Sequence, residues 1–571
     1  MNYRLSDGKT VQSGAALRRL WPLIRPQRMQ LAMATVALVS NTLLTLSGPM
    51  LTAYAIDHYV AAHDLAGLLR CCALLMGLYG LAGLAVYLQS VWMGGVGQQL
   101  LFRLRALLFE KIQELPLSFF QVNQSGDLIS RLNNDTDKVN VFFSQALMQF
   151  VGGLISMLGA ACFLLALNPR LGTAALAPAL LLVLVTRAMS PITRRLSGAS
   201  LKSLGNLSAE SSDSLENFKV VVAFDRQDYF LERFERANQL NYRSALRAGM
   251  TNQLFIPTYA LCSNLAQLLV LLYGLKLVVE GQLTVGTLIG YLMYVLRFYD
   301  PLRQMASLWN TFQTAMAGWD RIHAILGLST NLAVVPAAAD SQTGPRLEFR
   351  QVDFGYNPER PVLTGVEMRL EAGKSYALVG PTGGGKSTTA SLMARLYDPD
   401  RGEVLLDGLD LRSYQAAERS QKIGFILQEP FLQGGSLRDN FHYANPNYRD
   451  ELLEEMAMSG LLATFSDGLD TQVSGLSLGQ KQIVAFMRAV LRRPKLLILD
   501  EATANIDTVT EAALSTILEN LPADTTRVTI AHRLNTIEKA EQIYFINQGR
   551  VQLAGSMTEA MAMLREGGRT S

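Results

Sequence analysis

Ser375-Tyr-Ala-Leu-Val-Gly380-Pro-Thr-Gly-Gly-Gly-Lys386-Ser387-Thr388 decides how the C-terminal half of this sequence is read. The stretch fits G-x-x-x-x-G-K-[ST], with an apolar run before it and a helical run over 388–396 after it. A strand that ends in such a loop and opens a helix lets backbone N–H groups close around phosphate oxygens. The helix N-terminus adds partial positive charge. Gly380, Thr382, Gly383, Gly384 and Gly385 are the candidate cradle, with Thr388 following. Lys386 is spaced to reach the β- and γ-phosphates of ATP, and Ser387 to bind Mg2+.

A second stretch, Lys495-Leu-Leu-Ile-Leu-Asp500-Glu501, is an apolar strand ending in two acids. Alone it reads as an ordinary buried strand. Downstream of Lys386 it supplies what a nucleotide site needs: Asp500 to hold Mg2+ and Glu501 to polarise the attacking water as general base. Strand-like and helix-like segments alternate from Leu347 onward, which predicts an α/β domain.

The region before residue 330 is of another kind. The 571-residue chain has 49% hydrophobic and 17% charged residues, against about 25% charged in soluble proteins. Six apolar centres stand near residues 31–55, 71–92, 142–167, 171–189, 261–279 and 285–296. The fifth runs far enough as a helix to cross a hydrocarbon core. The sixth is short and is expected to continue past Arg297 and Asp300, with those charges turned toward protein or water. Other polar residues at this depth include Asn41, Gln89, Asn264, Gln267 and Lys276. Helix–helix hydrogen bonding is the plainer reading for each, and snorkelling for Lys276 and Arg297.

Loop charges orient these spans. The second connection, 93–141, holds Arg103, Arg105, Lys111, Arg131 and Lys138, and the fourth, 190–250, holds nine basic residues. The odd-numbered connections hold one between them, Arg170. The asymmetry predicts that both termini are cytoplasmic. Both long connections read as helical, turning at elbows near 116–126 and 213–224, because structureless loops of that length are rare. Residues 15–29 mix Leu, Trp and Arg as an interfacial helix does. No signal peptide is visible, so a bacterial inner membrane is the expected location. Cys71, Cys72, Cys162 and Cys262 form no C-x-x-C pair and read as buried or lipid-facing thiols. A net charge of +3 gives no reason to expect a nucleic-acid partner.

With these motifs in this order, the chain resembles the ATP-binding cassette (ABC) family, and in particular its exporter-type half-transporters. The resemblance covers essentially the whole length. It implies an all-helical six-span membrane domain (1–326), a linker (327–345) and an α/β nucleotide-binding domain (346–571) with a helical subdomain near 430–478. In Phe354-Gly-Tyr356 it implies that Tyr356 stacks on adenine. It makes Gln428 the sensor of the γ-phosphate through Mg2+, and His532 the switch histidine. Asn505-Ile-Asp507 resembles the loop that crosses the dimer interface. The stretches 117–136 and 217–224 resemble the elbows that dock on the ATPase domains.

Two departures stand out. The family's signature is L-S-G-G-Q, and here it is Leu476-Ser477-Leu478-Gly479-Gln480. Ser477, Gly479 and Gln480 are retained for the nucleotide held by the opposite subunit, but Leu478 replaces a glycine that permits close approach. This points to a non-identical partner subunit and one weak ATP site; a homodimer that tolerates Leu478 is the alternative. The chain also runs from Asp470-Thr-Gln-Val473 straight into the signature, without the G-E-R-G-like stretch that contacts the elbows in the family. The implied function is ATP-driven export of a drug-like, lipid or peptide substrate by alternating access. An exporter-shaped importer, as for siderophores, and an ATP-gated regulatory subunit are the alternatives. The six spans exclude a soluble ATPase acting on DNA.

Overall fold

The computed structural model describes residues 3, 5, 13–329, 334–336, 344–357, 359–445, 447–456, 458–500, 508–530, 537–538, 540–554, 558–560 and 562–563. Two compact units emerge. One holds Leu5–Gln113 and Ser125–Gly327; the other holds Glu114–Gln124 and Leu328–Ser571, together with Tyr3.

The first unit is helical. After a lead-in helix Ser13–Ile24 come the long helices α1 (Arg28–Ala55), α2 (Leu65–Gln113), α3 (Ser125–Leu167), α4 (Pro169–Glu216) and α5 (Gln227–Val279), each within a helical stretch long and apolar enough to cross a membrane. The sixth, α6 (Val285–Leu326), is as long but carries Arg297, Asp300 and Arg303 in mid-length, which lowers its hydropathy below theirs. It continues through Pro301 as expected. Apolar side chains lie on the outside: Met76 is 78% and Val279 88% exposed. Water would not tolerate so much exposed apolar surface, whereas lipid does.

Where helices meet, polar handles are satisfied internally. Tyr291, Tyr294 and Tyr299 of α6 are buried, and their hydroxyls donate to the carbonyls of Leu164, Leu46 and Ala175 at 2.9, 2.6 and 3.1 Å. These bonds tie α6 to α3, α1 and α4. The N-terminal end of α6 is capped by Thr284 and by Asp57, whose carboxylate accepts from the Gly286 N–H at 2.8 Å. Cys71 and Cys262 are buried and Cys72 and Cys162 exposed, all as free thiols.

The start of α3 is locked to the far end of α6 by a buried ionic cluster. Arg131, 1% exposed, donates through Nε to Asp127 at 2.8 Å and through Nη1 to the carbonyl of Arg321 at 2.8 Å. Arg321 returns to Asp127 at 2.5 Å and to Asp135 at 3.3 Å.

In the second unit, an antiparallel sheet runs β2–β1–β4–β5, from β1 (Leu347–Phe354), β2 (Leu363–Leu370), β4 (Arg401–Leu406) and β5 (Leu409–Asp410). A second sheet has the order β10–β9–β3–β8–β7–β6. Its strands are β3 (Ser375–Val379), β6 (Ile423–Ile426), β7 (Leu496–Asp500), β8 (Thr526–Ile530), β9 (Gln542–Asn547) and β10 (Arg550–Ala554). All of its pairings are parallel except that of β10. β3 and β7 are near-continuously apolar because both faces are covered. The helices that matter to the site are α7 (Lys386–Met393), α8 (Leu437–Ala444), α9 (Leu478–Val490) and α10 (Thr508–Glu519). α7 differs from the expected 388–396. It starts at Lys386 because Gly385 (φ +113°) is its N-cap, and it stops at Met393 because Arg395 turns left-handed (φ +51°).

The elbow helices are present at Leu117–Val122 and Phe218–Ala223. The first belongs to the second unit, where Asn123 donates to the carbonyl of Tyr3 at 2.9 Å and the Tyr3 hydroxyl donates to that of Ser329 at 3.5 Å.

Removing Arg131 takes one of two ion-pair partners from Asp127 and a donor from the carbonyl of Arg321, and empties the place of a fully buried side chain. Arg131→Ala should therefore destabilise the helical unit by about 2–3 kcal/mol. Lys138→Ala, whose side chain is half exposed beside Asp135, should cost about 0.5 kcal/mol or less. Thermal unfolding of the full chain in detergent checks the contrast; equal losses would refute it.

Candidate functional site

The parallel sheet fixes where the chemistry gathers. β3, β6, β7 and β8 point the same way, so the loops after them leave from one edge. The loop after β3 is the glycine-rich one. Gly380 (φ +155°) passes so near β9 that a Cβ there would lie 2.0 Å from the carbonyl oxygen of Ile546. A Cβ on Gly384 would meet the same oxygen at 2.7 Å. Gly383 (φ +80°) has open space around it and needs glycine for conformation alone. The loop is thus a bare-backbone turn pressed onto β9 at the start of α7, closed on itself by the Gly384 N–H, which donates to the Pro381 carbonyl at 3.1 Å.

Lys386 is buried at the first position of α7, and its ammonium donates to the carbonyls of Gly380 and Pro381 at 2.9 and 3.0 Å. The ammonium therefore lies against the glycine cradle. Ser387 Oγ donates to Asp500 Oδ1, at the end of β7, at 3.4 Å. A hydroxyl and a carboxylate side by side form a hard-oxygen pair of the kind Mg2+ selects. Thr389 is buried and donates to the Gly385 carbonyl at 2.9 Å, bracing the loop from below. Gln428 follows β6 and is exposed.

Tyr356 follows β1 in the antiparallel sheet. Its hydroxyl is 3.2 Å from Thr388 Oγ1, and its ring, half exposed, meets Phe354 and Tyr397 edge-on at 5.1 and 5.3 Å. Asp400 accepts from the Gly355 N–H at 2.9 Å and holds that turn in place. About half of Tyr356 is thus open to solvent, with its hydroxyl against the first turn of α7.

Ser477 caps α9: its hydroxyl accepts from the Gln480 N–H, and Gln480 Oε1 accepts from the Ser477 N–H. Gln480 Nε2 donates to the Thr464 carbonyl at 3.1 Å. These hydrogen bonds join Ser477 and Gln480 to each other and to Thr464. Leu478 takes an ordinary helical backbone at the first turn of α9 and projects outward, 54% exposed. Glu501, His532 and the segment 505–507 lie outside the described residues. Tyr397, Asp400 and the Ile546 carbonyl were not legible as site residues, because only the folded chain brings them to Tyr356 and Gly380.

Comparison with known proteins agrees with this geometry. Residues 31–302 match the ABC transporter transmembrane region and residues 363–504 match the ABC transporter domain. An ATP-dependent lipid A-core flippase of Pectobacterium atrosepticum is 31% identical over 571 residues, 97% of each chain. An uncharacterized ABC transporter ATP-binding protein of Bacillus subtilis is 32% identical over 561 residues, 96% of this chain and 93% of its own. A fatty acid ABC transporter ATP-binding/permease protein of Mycobacterium tuberculosis is 32% identical over 507 residues, 87% of this chain and 80% of its own. The chain belongs to the ABC transporter family. It is a multi-pass membrane half-transporter that couples ATP hydrolysis to transport.

The two glycine constraints differ in kind, and so should their variants. Gly380→Ala collides with backbone and should weaken binding of a fluorescent ATP analogue at least about tenfold. Gly383→Ala pays only the left-handed conformation, about 1–2 kcal/mol of loop strain, and should weaken it less; the reverse order would disprove the assignment of the clash.

Burial pushes the Tyr397 phenol up to about 12, and its hydroxyl has no hydrogen-bond partner among the described residues. The folded state thus holds this proton more tightly than the unfolded chain. The associated stability is intact below pH 10 and is lost as pH rises through about 12. Tyr397→Phe should retain ATP binding, gain about 1 kcal/mol at neutral pH, and show a shallower alkaline loss in thermal melts from pH 9 to 12.

Proposed function

We propose that the chain is one half of a dimeric exporter that moves an amphipathic small molecule out of the cytoplasm or off the inner leaflet of a bacterial inner membrane. Both termini would be cytoplasmic, in keeping with the loop charges. The observation that carries the reading is the Ser387–Asp500 pair beside Lys386 and the glycine cradle.

In this reading Tyr356 stacks on adenine. The N–H groups of 380–388, which include Thr382, bind the phosphates, and Lys386 neutralises their outer charge. Ser387, Asp500 and Gln428 would hold Mg2+, which would supply neutralisation of phosphate charge. Glu501 takes a proton from the attacking water, and His532 contacts the γ-phosphate. Ser477, Gly479 and Gln480 complete the nucleotide site of the opposite subunit, where the backbone N–H groups opening α9 face an anion. Leu478 adds an exposed isobutyl group at that helix end and weakens that second site. This supports a non-identical partner that brings an intact signature to the Glu501 site.

The relatives named for lipid A-core and fatty acid support a lipid-like substrate here. ATP binding would draw the two nucleotide-binding domains together, the elbows would transmit that movement to the spans, and hydrolysis would reset them.

ATP hydrolysis by the chain purified alone, beside Glu501→Gln, tests the reading. Binding without appreciable turnover is expected, with turnover appearing when the partner is added. Full turnover alone, abolished by Glu501→Gln, would show a working homodimer and reject the non-identical partner. ATP-dependent uptake into inverted vesicles is expected for an exporter; loss from them would mean import.

A further inference from the structure

A cavity of about 380 Å³ opens among α1, α2, α3 and α6, and its lining is chemically divided. Leu38, Met148 and Leu308 form apolar wall, while Arg297 and Asp300 bring opposite full charges to the same space. The two stand three residues apart on α6, neighbours on one face with Cβ atoms roughly 5–6 Å apart. They do not pair with each other: neither has an ion-pair or hydrogen-bond partner among the described residues.

Both stand at membrane depth. Arg297 lies about 18 Å and Asp300 about 22 Å along α6 from Val285, within a core roughly 30 Å thick. Asp300 is exposed and Arg297 half-buried, so both charges open onto the cavity, where water or a ligand must answer them. The surroundings offer amides, not ions: Asn41, Gln89 and Gln149 line the same cavity. Pro301, also in the lining, has no N–H, so the Arg297 carbonyl lacks its helical donor and remains an acceptor beside the carboxylate.

We propose that this cavity binds a zwitterionic amphiphile. Its anionic centre sits on the Arg297 guanidinium, its cationic centre sits between Asp300 and the Arg297 carbonyl, and its chain lies along the apolar wall. The other classes fit less well. An anionic head leaves Asp300 repelling it, a cationic head leaves Arg297 repelling it, and a neutral head leaves both charges unmatched. This rests on the export reading and narrows its substrate to a class.

The test measures binding to the full chain in maltoside micelles without ATP. The probes are lysophosphatidylethanolamine, a fatty acid and an alkylamine, each carrying the same fluorescent chain. The Arg297→Gln/Asp300→Asn double variant supplies the micelle background. The zwitterion should bind at least about tenfold tighter than either singly charged probe. Arg297→Gln and Asp300→Asn should each weaken it about tenfold, and the exchange Arg297→Asp/Asp300→Arg should restore much of the loss. A wild-type-like cooperative thermal melt of the full chain in maltoside shows that each variant is folded.

Equal binding of the three probes, or tighter binding of the fatty acid, overturns the proposal. So does wild-type binding by both single variants, which would leave the two charges to the partner subunit. Failure of the export reading is separable. Head-group discrimination without ATP-driven movement into inverted vesicles rejects export alone, and movement without discrimination rejects this inference alone.

Discussion

The nucleotide-binding half is organised by one close approach between backbones. β3 and β9 run parallel, with Val379 opposite Phe545, and the next residue of β3 must pass within contact of the Ile546 carbonyl. Only glycine fits at 380 and again at 384. The turn this forces sets Gly385 as the cap of α7, and so places Lys386 and Ser387. The adjacent parallel strands deliver Asp500 to the same edge. Without that contact, the serine, the lysine and the aspartate would have no common reference.

A different constraint shapes the helical half. Lipid offers no hydrogen bonds, so each span satisfies its backbone internally and exposes apolar side chains. Polar groups are tolerated where a neighbour answers them. The three tyrosines of α6 illustrate this, each bonded to a carbonyl of a different helix. The Arg131–Asp127–Arg321–Asp135 cluster does the same with full charges. Arg297 and Asp300 break the pattern, which is why the cavity beside them draws a functional reading while the other polar positions of the spans do not.

Leu478 shows how a departure from a motif changes meaning once geometry is known. In the sequence it replaces a glycine. In the structure its backbone is ordinary helix and its side chain points outward. The substitution therefore costs the subunit itself nothing in conformation. Its consequence falls on whatever approaches that helix end.

Local pattern was enough for much of this protein. Apolar run length and the glycine-lysine-serine spacing determined the spans, the class of the second domain and the phosphate loop, because each depends on neighbours in the chain. The sixth span was legible only in part, since its charges masked its length until the helix was seen to run through Pro301. Other features needed the tertiary structure. The sequence marks Gly380 as special but not Ile546 as the reason, for these residues meet only across paired strands. It marks Tyr356 but not Tyr397 and Asp400, which come from another part of the chain to hold it. It places Arg297 and Asp300 in a span but not on one cavity with Asn41 and Gln89, because helix packing alone decides which faces turn inward together.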